Sequence, residues 1–214
     1  VDVVGNTFLD ANEQKKLFAG CVYVQDVHRV LVPGGKLLRP DQFRARFGGY
    51  TFVLDTIGSK TTRNAFEVFT ESQLNTTPTA DGTCFRPDLP YGTIVTDAGR
   101  TRVNIYWPVD VPCVPGDATP FTEHMRKLFP DDRDRAIVLA KMAAIVQYPG
   151  VKFQWALLLI GTEGNGKTLL SRCVAEAVGR RYVYWPKAAR IAAQFNSWLF
   201  GHVFFAVEDI HTSA

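Results

Sequence analysis

Gly161-Thr162-Glu163-Gly164-Asn165-Gly166-Lys167-Thr168 is the stretch of this sequence that decides its fold. It matches the pattern G-x-x-x-x-G-K-[S/T] at every fixed position. The apolar run over 153–160 precedes it and predicts a central strand of a parallel sheet. Residues 166–178 follow it and predict a helix that ends at Gly179. A strand, a glycine-rich loop and a helix in this order predict a phosphate-binding loop.

The chemistry of such a loop requires this order of residues. Glycines let the backbone curl so that its N–H groups point inward at phosphate oxygens. The N-terminus of the following helix adds a positive partial charge at the same place. We therefore predict that Lys167 bridges the β- and γ-phosphates of ATP and that the Thr168 hydroxyl ligates Mg²⁺.

The remaining positions of the loop contribute through their backbone. The predicted nucleotide contacts include Gly161, Thr162, Glu163, Gly164, Asn165 and Gly166. Glu163 and Asn165 occupy variable positions of the pattern, so no side-chain chemistry is assigned to them. The alternative interpretation is a glycine-rich strand-to-helix turn that binds no ligand.

A second candidate group follows a predicted strand over 203–207. This apolar run leads directly into Glu208 and Asp209. Carboxylates at the carboxyl end of a strand lie where α/β sheets bind their ligands. We predict that Glu208 holds Mg²⁺ and that one of the two acids activates the attacking water. The alternative is a pair of solvated acids at the start of a loop.

The order of predicted elements divides the chain into two domains. The second half alternates strands with helices and predicts an α/β fold with a parallel sheet core. Two helices precede this core, over 119–129 and 131–147, and the second is apolar on most sides, so we expect it to be buried. Four prolines within 108–120 mark the connector. We place a P-loop NTPase domain at 116–214.

Residues 1–115 predict a smaller, β-rich α+β domain that serves as an accessory or linker domain. Two apolar runs, over 21–24 and 27–32, predict a hairpin. A short helix is expected after Pro40, and the segment 74–92, rich in Thr, Pro, Asp and Gly, is expected to be an irregular loop. No chemistry is assigned to this domain.

Composition excludes several classes of protein. The chain has 214 residues, a hydrophobic fraction of 46% and a net charge of +3, without a basic arm or tail. Its four cysteines are far apart and its four histidines form no spaced cluster, so a zinc site is not expected. Neither a membrane-spanning run nor a signal peptide is visible, which predicts a cytoplasmic protein with no membrane partner.

Four stretches resemble the superfamily 3 helicase-like domain at the C-terminal end of phage, prophage and plasmid primases. They are Asn104-Ile105-Tyr106-Trp107-Pro108 with Gly116-Asp117 and a helix led by Phe121, then Ala143-Ala144-Ile145-Val146-Gln147-Tyr148-Pro149-Gly150-Val151-Lys152, the phosphate loop, and Ala193-Gln194-Phe195-Asn196 with the acidic strand. The likeness covers roughly 102–214. Many relatives carry Asp-Glu where this chain has Glu208-Asp209, which leaves open which acid holds the metal.

The resemblance implies a ring-forming ATPase, often a hexamer, that uses ATP and Mg²⁺ to move on single-stranded DNA. It implies a primase module in the same or a partner chain, and a phage or prophage origin with action in the bacterial cytoplasm. Both ends of the chain look cut, so we expect a fragment of a longer protein. In the family, a polar sensor residue, a DNA-contacting hairpin and an arginine finger follow the acidic strand.

Two other classes of function stay open at this point. A different P-loop enzyme, such as a nucleotide kinase, would share the loop, although the acidic pair and the two preceding helices speak against it. A fragment that binds nucleotide without turnover would also share it.

Overall fold

The chain divides into two compact units. Its structure is of mixed α/β class, which agrees with the prediction at that level. In the computed structural model, the first unit spans Val1–Trp107 and the second spans Pro108–Ala214. The structure describes residues 8–57, 60–111, 114–191 and 195–208.

In the described part of the first unit, short strands alternate with short helices. The strands are β1 (Phe8–Leu9), β2 (Val22–Val24), β3 (Arg29–Val32), β4 (Lys36–Leu38), β5 (Thr51–Val53), β6 (Thr61–Thr62), β7 (Thr79–Ala80), β8 (Gly82–Cys84), β9 (Ile94–Asp97) and β10 (Arg100–Asn104). The helices are α1 (Ala11–Leu17), α2 (Pro40–Arg46) and α3 (Ala65–Glu71). The strands form small sheets with the orders β1-β5-β6, β4-β3-β2-β7 and β8-β10-β9.

The predicted hairpin is confirmed, whereas the predicted irregular loop is wrong in part. β2 and β3 pair antiparallel, with Val22 opposite Leu31. The segment 74–92 contains β7 and β8, which pair parallel with β2 and β10. Because both partners are distant in sequence, the turn-rich composition of this segment could not reveal the pairing.

An aromatic cluster fills the core of the first unit. The ring of Phe18 lies between 5.4 and 5.8 Å, centre to centre, from the rings of Phe43, Phe47, Phe52 and Phe69. Cys21 belongs to the same buried cluster and is 1% exposed. Burial raises the pKa of its thiol to about 11, and the charge of Arg46 opposes this only in part.

Asn104 organises the loop that precedes β9. Its side chain is fully buried. The two N–H groups of the amide nitrogen Nδ2 are shared among the carbonyls of Arg86, Leu89 and Pro90, which lie 2.8, 2.9 and 3.1 Å from the nitrogen. The oxygen Oδ1 accepts from the backbone N–H groups of Arg86 and Tyr106 at 2.9 and 3.1 Å. One side chain therefore satisfies several backbone groups that would otherwise be buried without partners.

Helices dominate the described part of the second unit. They are α4 (Thr119–Leu128), α5 (Asp132–Gln147), α6 (Lys167–Val178) and α7 (Ala188–Ile191), and the strands are β11 (Val183–Tyr184) and β12 (Phe204–Phe205). Single 3-10 turns cover Arg180–Tyr182 and Ser197–Leu199. The bounds of α4, α5 and α6 agree with the sequence prediction to within about two residues, and Asp131 caps α5 by accepting from the Asp134 N–H at 2.9 Å.

The prediction that α5 is buried is wrong. Within the described residues, the buried side chains of α5 are Val138 and Lys141. Ile137 and Leu139 on the same helix are exposed. An apolar helix surface favours burial, but it cannot specify that partners cover every face.

The predicted central strand over 153–160 is also not observed. No strand is assigned to these residues, and Leu158 and Ile160 are 71% and 89% exposed. Within the described residues, no backbone–backbone hydrogen bond involves 153–160. A strand forms only where a neighbouring strand accepts its backbone hydrogen bonds, and the apolar run alone does not supply one.

A small parallel sheet packs against α6. Val183 of β11 lies opposite Phe204 of β12, and the Ala206 N–H extends the pairing by donating to the Tyr184 carbonyl at 3.1 Å. The predicted strand over 203–207 is therefore present in a shorter form. Val174, Val178 and Val183 form a buried cluster against which Phe204 packs.

Among the helices in the described ranges, none combines the length and the apolar character that crossing a lipid bilayer requires.

Candidate functional site

The glycine-rich loop before α6 adopts a tightly curled backbone. Gly164 and Gly166 have φ values of 74° and 95°, in the left-handed region that favours glycine. Gly166 is the residue before the first turn of α6, and Lys167 and Thr168 are the first two residues of the helix. Lys167 and Thr168 therefore lie at the N-terminus of a helix that follows the loop directly, and this order of loop and helix was predicted from the sequence.

The ammonium group of Lys167 is held by the loop itself. Its Nζ donates to the carbonyl oxygens of Gly161 and Thr162 at 3.0 and 2.7 Å. It also donates to Oδ1 of Asn165 at 3.0 Å. These three bonds use all three N–H donors of a lysine. Asn165, to which the sequence pattern assigned no chemistry, therefore helps to fix the position of the lysine.

The backbone amides of the loop are poorly satisfied within the described part of the chain. A turn covers residues 163–164, and across residues 161–168 no N–H group makes a close, well-aligned hydrogen bond to a described oxygen. An N–H group without an intramolecular partner is available to an external acceptor. The N-terminus of α6 adds its partial positive charge at the same place. The loop therefore has the donors that an anionic ligand needs.

The other loop positions lie at the surface. Thr162 and Glu163 are exposed, whereas Thr168 is half-buried. The hydroxyl of Ser171 donates to the backbone carbonyl of Thr168 at 2.8 Å, one turn into α6. Thr168 follows Lys167 in the first turn of α6, at the position where the sequence pattern predicts a metal-ligating hydroxyl.

His124 contacts the loop and was not predicted from the sequence. It lies on α4, and its Nε2 is 3.4 Å from the carbonyl oxygen of Gly166. A β-carbon added to Gly166 would lie 2.3 Å from Cε1 of this ring. His124 is 42 residues before Gly166 and belongs to no motif, so the sequence carries no signal for the contact.

The structure describes only one of the two predicted acids. Glu208 is exposed and follows the last backbone hydrogen bond of β12, made by Ala206. Asp209 lies outside the described residues. Glu208 therefore lies three residues after β12, a strand that packs on α6. Its approach to the phosphate loop, and the roles of both acids, stay predictions.

A metal-binding cluster and a cleft in the first unit are the other places where a ligand could bind. Among the described residues, no three His, Cys, Asp or Glu side chains come together to hold a metal ion. In the first unit, a shallow cleft of about 200 Å³ is lined in part by Arg100 and Arg102. Arg100 pairs with Asp26 at 2.8 Å and Arg102 pairs with Asp97 at 3.7 Å. Both cations are thus paired with carboxylates, whereas the hydrogen-bond partners of Lys167 are uncharged oxygens.

Comparison with known proteins identifies the fold. Neither protein-family models nor curated protein sequences give a match. The chain is similar to an apo structure of the NrS-1 C terminal region, with a TM-score of 0.60 and 15% identity over 92% of this chain and 45% of that one. Two A form apo structures of the same region give TM-scores of 0.58 and 0.60 at 15% and 17% identity. They cover 87% and 93% of this chain, and 42% and 47% of theirs.

The chain thus spans less than half the length of the solved structures that it matches. At this level of identity the likeness is one of fold, and it covers most of the 214 residues. The chain has the fold of part of the NrS-1 C terminal region.

Proposed function

We propose that this chain binds MgATP at residues 161–168 and belongs to an ATP-driven motor that acts on single-stranded DNA. The observation that carries the proposal is the curled loop with poorly satisfied amides around the ammonium of Lys167. A triphosphate supplies the anionic oxygens that these donors lack.

The Lys167 ammonium supports recognition of a triphosphate in particular. Its present partners are two carbonyl oxygens and one amide oxygen, all uncharged. Hydrogen bonds to phosphate oxygens are charge-assisted and about twice as strong as bonds between neutral groups. Anionic oxygens therefore compete well for this lysine, and the loop needs little rearrangement to receive them.

Mg²⁺ would enter with the nucleotide. Magnesium is usually held in such sites by one or two protein oxygens, substrate phosphates and water. Thr168 supplies a hydroxyl and Glu208 a carboxylate, and a site of this kind needs no cluster of three acids. When bound, the ion would neutralise the charge that develops on the transferred phosphoryl group.

Hydrolysis requires a base that orients water, and we assign this role to the pair Glu208 and Asp209. A positioned carboxylate that removes a proton contributes about 10²–10⁴-fold to a rate. A pair of acids after a strand favours hydrolysis that drives work over transfer of phosphate to a second substrate. Lys167 would stabilise the same phosphoryl group from the other side.

The motor assignment is supported by the fold. Part of the NrS-1 C terminal region has the same fold, and the sequence resembles the helicase-like domain of phage and plasmid primases in the four stretches given above. We propose a role in DNA replication, with several copies of the chain assembled into a ring and a primase module in the same or a partner chain. The motor would move along single-stranded DNA and would hydrolyse ATP with Mg²⁺ to do so.

Steady-state ATP hydrolysis, measured with and without single-stranded DNA, tests the proposal. We expect Mg²⁺-dependent turnover that rises at least about tenfold when DNA is added, and no turnover in Lys167→Ala. Phosphate transfer to a nucleotide acceptor without DNA would instead identify a kinase. Tight nucleotide binding with no turnover under any condition would identify a binding module, and no binding at all would overturn the proposal.

A further inference from the structure

His124 covers the last glycine of the phosphate loop. A β-carbon at Gly166 would lie 2.3 Å from Cε1 and 2.7 Å from Nε2 of the imidazole. Real β-carbons essentially never approach another atom to within 3.0 Å. The ring therefore occupies the space that any side chain at position 166 would need, and this is independent of the φ of 95° at Gly166.

The position of His124 on α4 explains how the ring reaches the loop. Phe121, Met125 and Leu128 belong to a hydrophobic cluster with Leu170 of α6. His124 lies three residues after Phe121 and four before Leu128, so it shares their face of the helix. It is half-buried at the edge of that cluster. Packing of α4 against the first turns of α6 thus brings the imidazole to the carbonyl of Gly166.

The carbonyl of Gly166 is held from two directions. The Leu169 N–H donates to it at 3.0 Å within the first turn of α6. Nε2 of His124 lies 3.4 Å from the same oxygen. In the tautomer with a proton on Nε2, the imidazole is a second, longer donor.

The orientation of this carbonyl decides where the next amide points. The peptide bond between Gly166 and Lys167 is planar and trans, so the Lys167 N–H points opposite to the Gly166 C=O. The Gly166 oxygen points along α6 toward the Leu169 N–H that it accepts from, so the Lys167 N–H points the opposite way, away from the helix and toward the loop. This N–H has no acceptor among the described residues.

We propose that His124 is a positioning residue that holds the Gly166–Lys167 peptide in the orientation required for phosphate binding. The inference rests on the proposed nucleotide-binding function. His124 acts through the peptide and does not itself touch the phosphate. Its removal frees the peptide to rotate, and the direction of the Lys167 amide toward the loop is then lost.

Nucleotide affinity of three variants of the 214-residue chain tests the role. We expect His124→Ala to raise the Kd for MgATP by roughly five- to tenfold, the effect of one lost hydrogen bond. His124→Gln keeps an N–H donor at a similar reach and should restore affinity to within about twofold. Glu123→Gln, at the exposed neighbouring position on α4, should bind as the unchanged chain does. Equal affinity of His124→Ala and the unchanged chain would overturn the proposal, and so would a Gln variant as weak as the Ala variant.

A second measurement separates this inference from the proposed function, because it needs no nucleotide. Gly166→Ala is made in the unchanged chain and in His124→Ala, and the urea midpoint of unfolding is measured for all four proteins. We expect the fall in midpoint caused by Gly166→Ala to be at least halved when His124 is absent, because the clash is then removed. An equal fall in both backgrounds would show that the ring does not press on this peptide, whatever the outcome of nucleotide binding.

Discussion

The ammonium nitrogen of Lys141 lies 3.7 Å from the centre of the Phe153 ring. The same nitrogen is 4.4 Å from the centre of the Trp155 ring and donates to the Trp155 carbonyl at 3.3 Å. Burial lowers the pKa of this ammonium. Lys141 therefore joins α5 to the extended segment that leads into the phosphate loop, with two aromatic faces as its main partners.

Two replacements of Lys141 distinguish the contribution of its charge to stability from the contribution of its packing. Lys141→Met keeps an unbranched side chain over Phe153, and we expect unfolding free energy within about 1 kcal/mol of the original, because the lost cation–π attraction and the removed desolvation cost oppose each other. Lys141→Ala uncovers both rings and should cost about 1–2 kcal/mol. Urea unfolding followed by circular dichroism gives both values. A Met variant less stable than the Ala variant would contradict this account.

Asn104 should not tolerate a carboxylate. In Asn104→Asp, an oxygen replaces the nitrogen whose two N–H groups are shared among three carbonyls at 2.8 to 3.1 Å. We expect a loss of about 3 kcal/mol or more, because buried acceptors would then face each other without donors. Asn64→Asp is the matched control: Asn64 caps α3 through its oxygen, and aspartate caps equally well. Equal destabilisation by the two changes would refute the role given to Asn104.

Because of Cys21, the free energy of unfolding should fall at alkaline pH. Its folded-state pKa is raised from 9.0 to about 11 by burial, so the unfolded chain loses this proton first. The stabilisation is complete below pH 9.0 and is lost as the pH rises through about 11. The full loss is about 2–3 kcal/mol. Unfolding free energy should fall more steeply with pH in the unchanged chain than in Cys21→Ala, and parallel curves would contradict the prediction.

Lys167→Ala should abolish tight binding of ATP. Two charge-assisted hydrogen bonds to phosphate are lost, which corresponds to a Kd raised about 100-fold or more. Isothermal titration with MgATP measures the change, and circular dichroism checks that the variant is folded. Lys187→Ala, at an exposed position, serves as the control and should bind normally. Unchanged affinity of Lys167→Ala would remove the basis for the proposed function.

The two acids should differ in their effects. We expect Glu208→Gln to raise the concentration of Mg²⁺ needed for half-maximal binding, because a ligand of the ion becomes neutral. Asp209→Asn should leave binding within about threefold and slow hydrolysis about 100-fold or more, as loss of a base does. Titrations of Mg²⁺ and single-turnover hydrolysis separate the two effects. The reverse pattern would exchange the roles, and full activity in both variants would exclude the pair from catalysis.

Local signals in the sequence predicted the helices α2, α4, α5 and α6. Pro40 and Asp131 each mark a helix N-terminus, and such signals depend only on residues within one turn. The shape of the phosphate loop was equally local, since glycines at 164 and 166 adopt the positive φ values that their positions need.

Features that depend on distant partners could not be predicted. The strands within 74–92 exist because β2 and β10 pair with them, and no local pattern marks such a pairing. The apolar run over 153–160 indicated a strand, yet its conformation is decided by partners that the run does not encode. His124 was missed for the same reason: its contact with Gly166 follows from the packing of two helices.

The exposed apolar side chains within residues 155–160 affect how the chain behaves in concentrated solution. Trp155 is 51% exposed, and Leu158 and Ile160 are more exposed still, in a segment that makes no backbone–backbone hydrogen bond to another described residue. Such a stretch promotes colloidal association between folded molecules. Light scattering should therefore increase with concentration at temperatures well below the melting point, and a lysine in place of Leu158 or Ile160 should suppress that increase without changing the melting point.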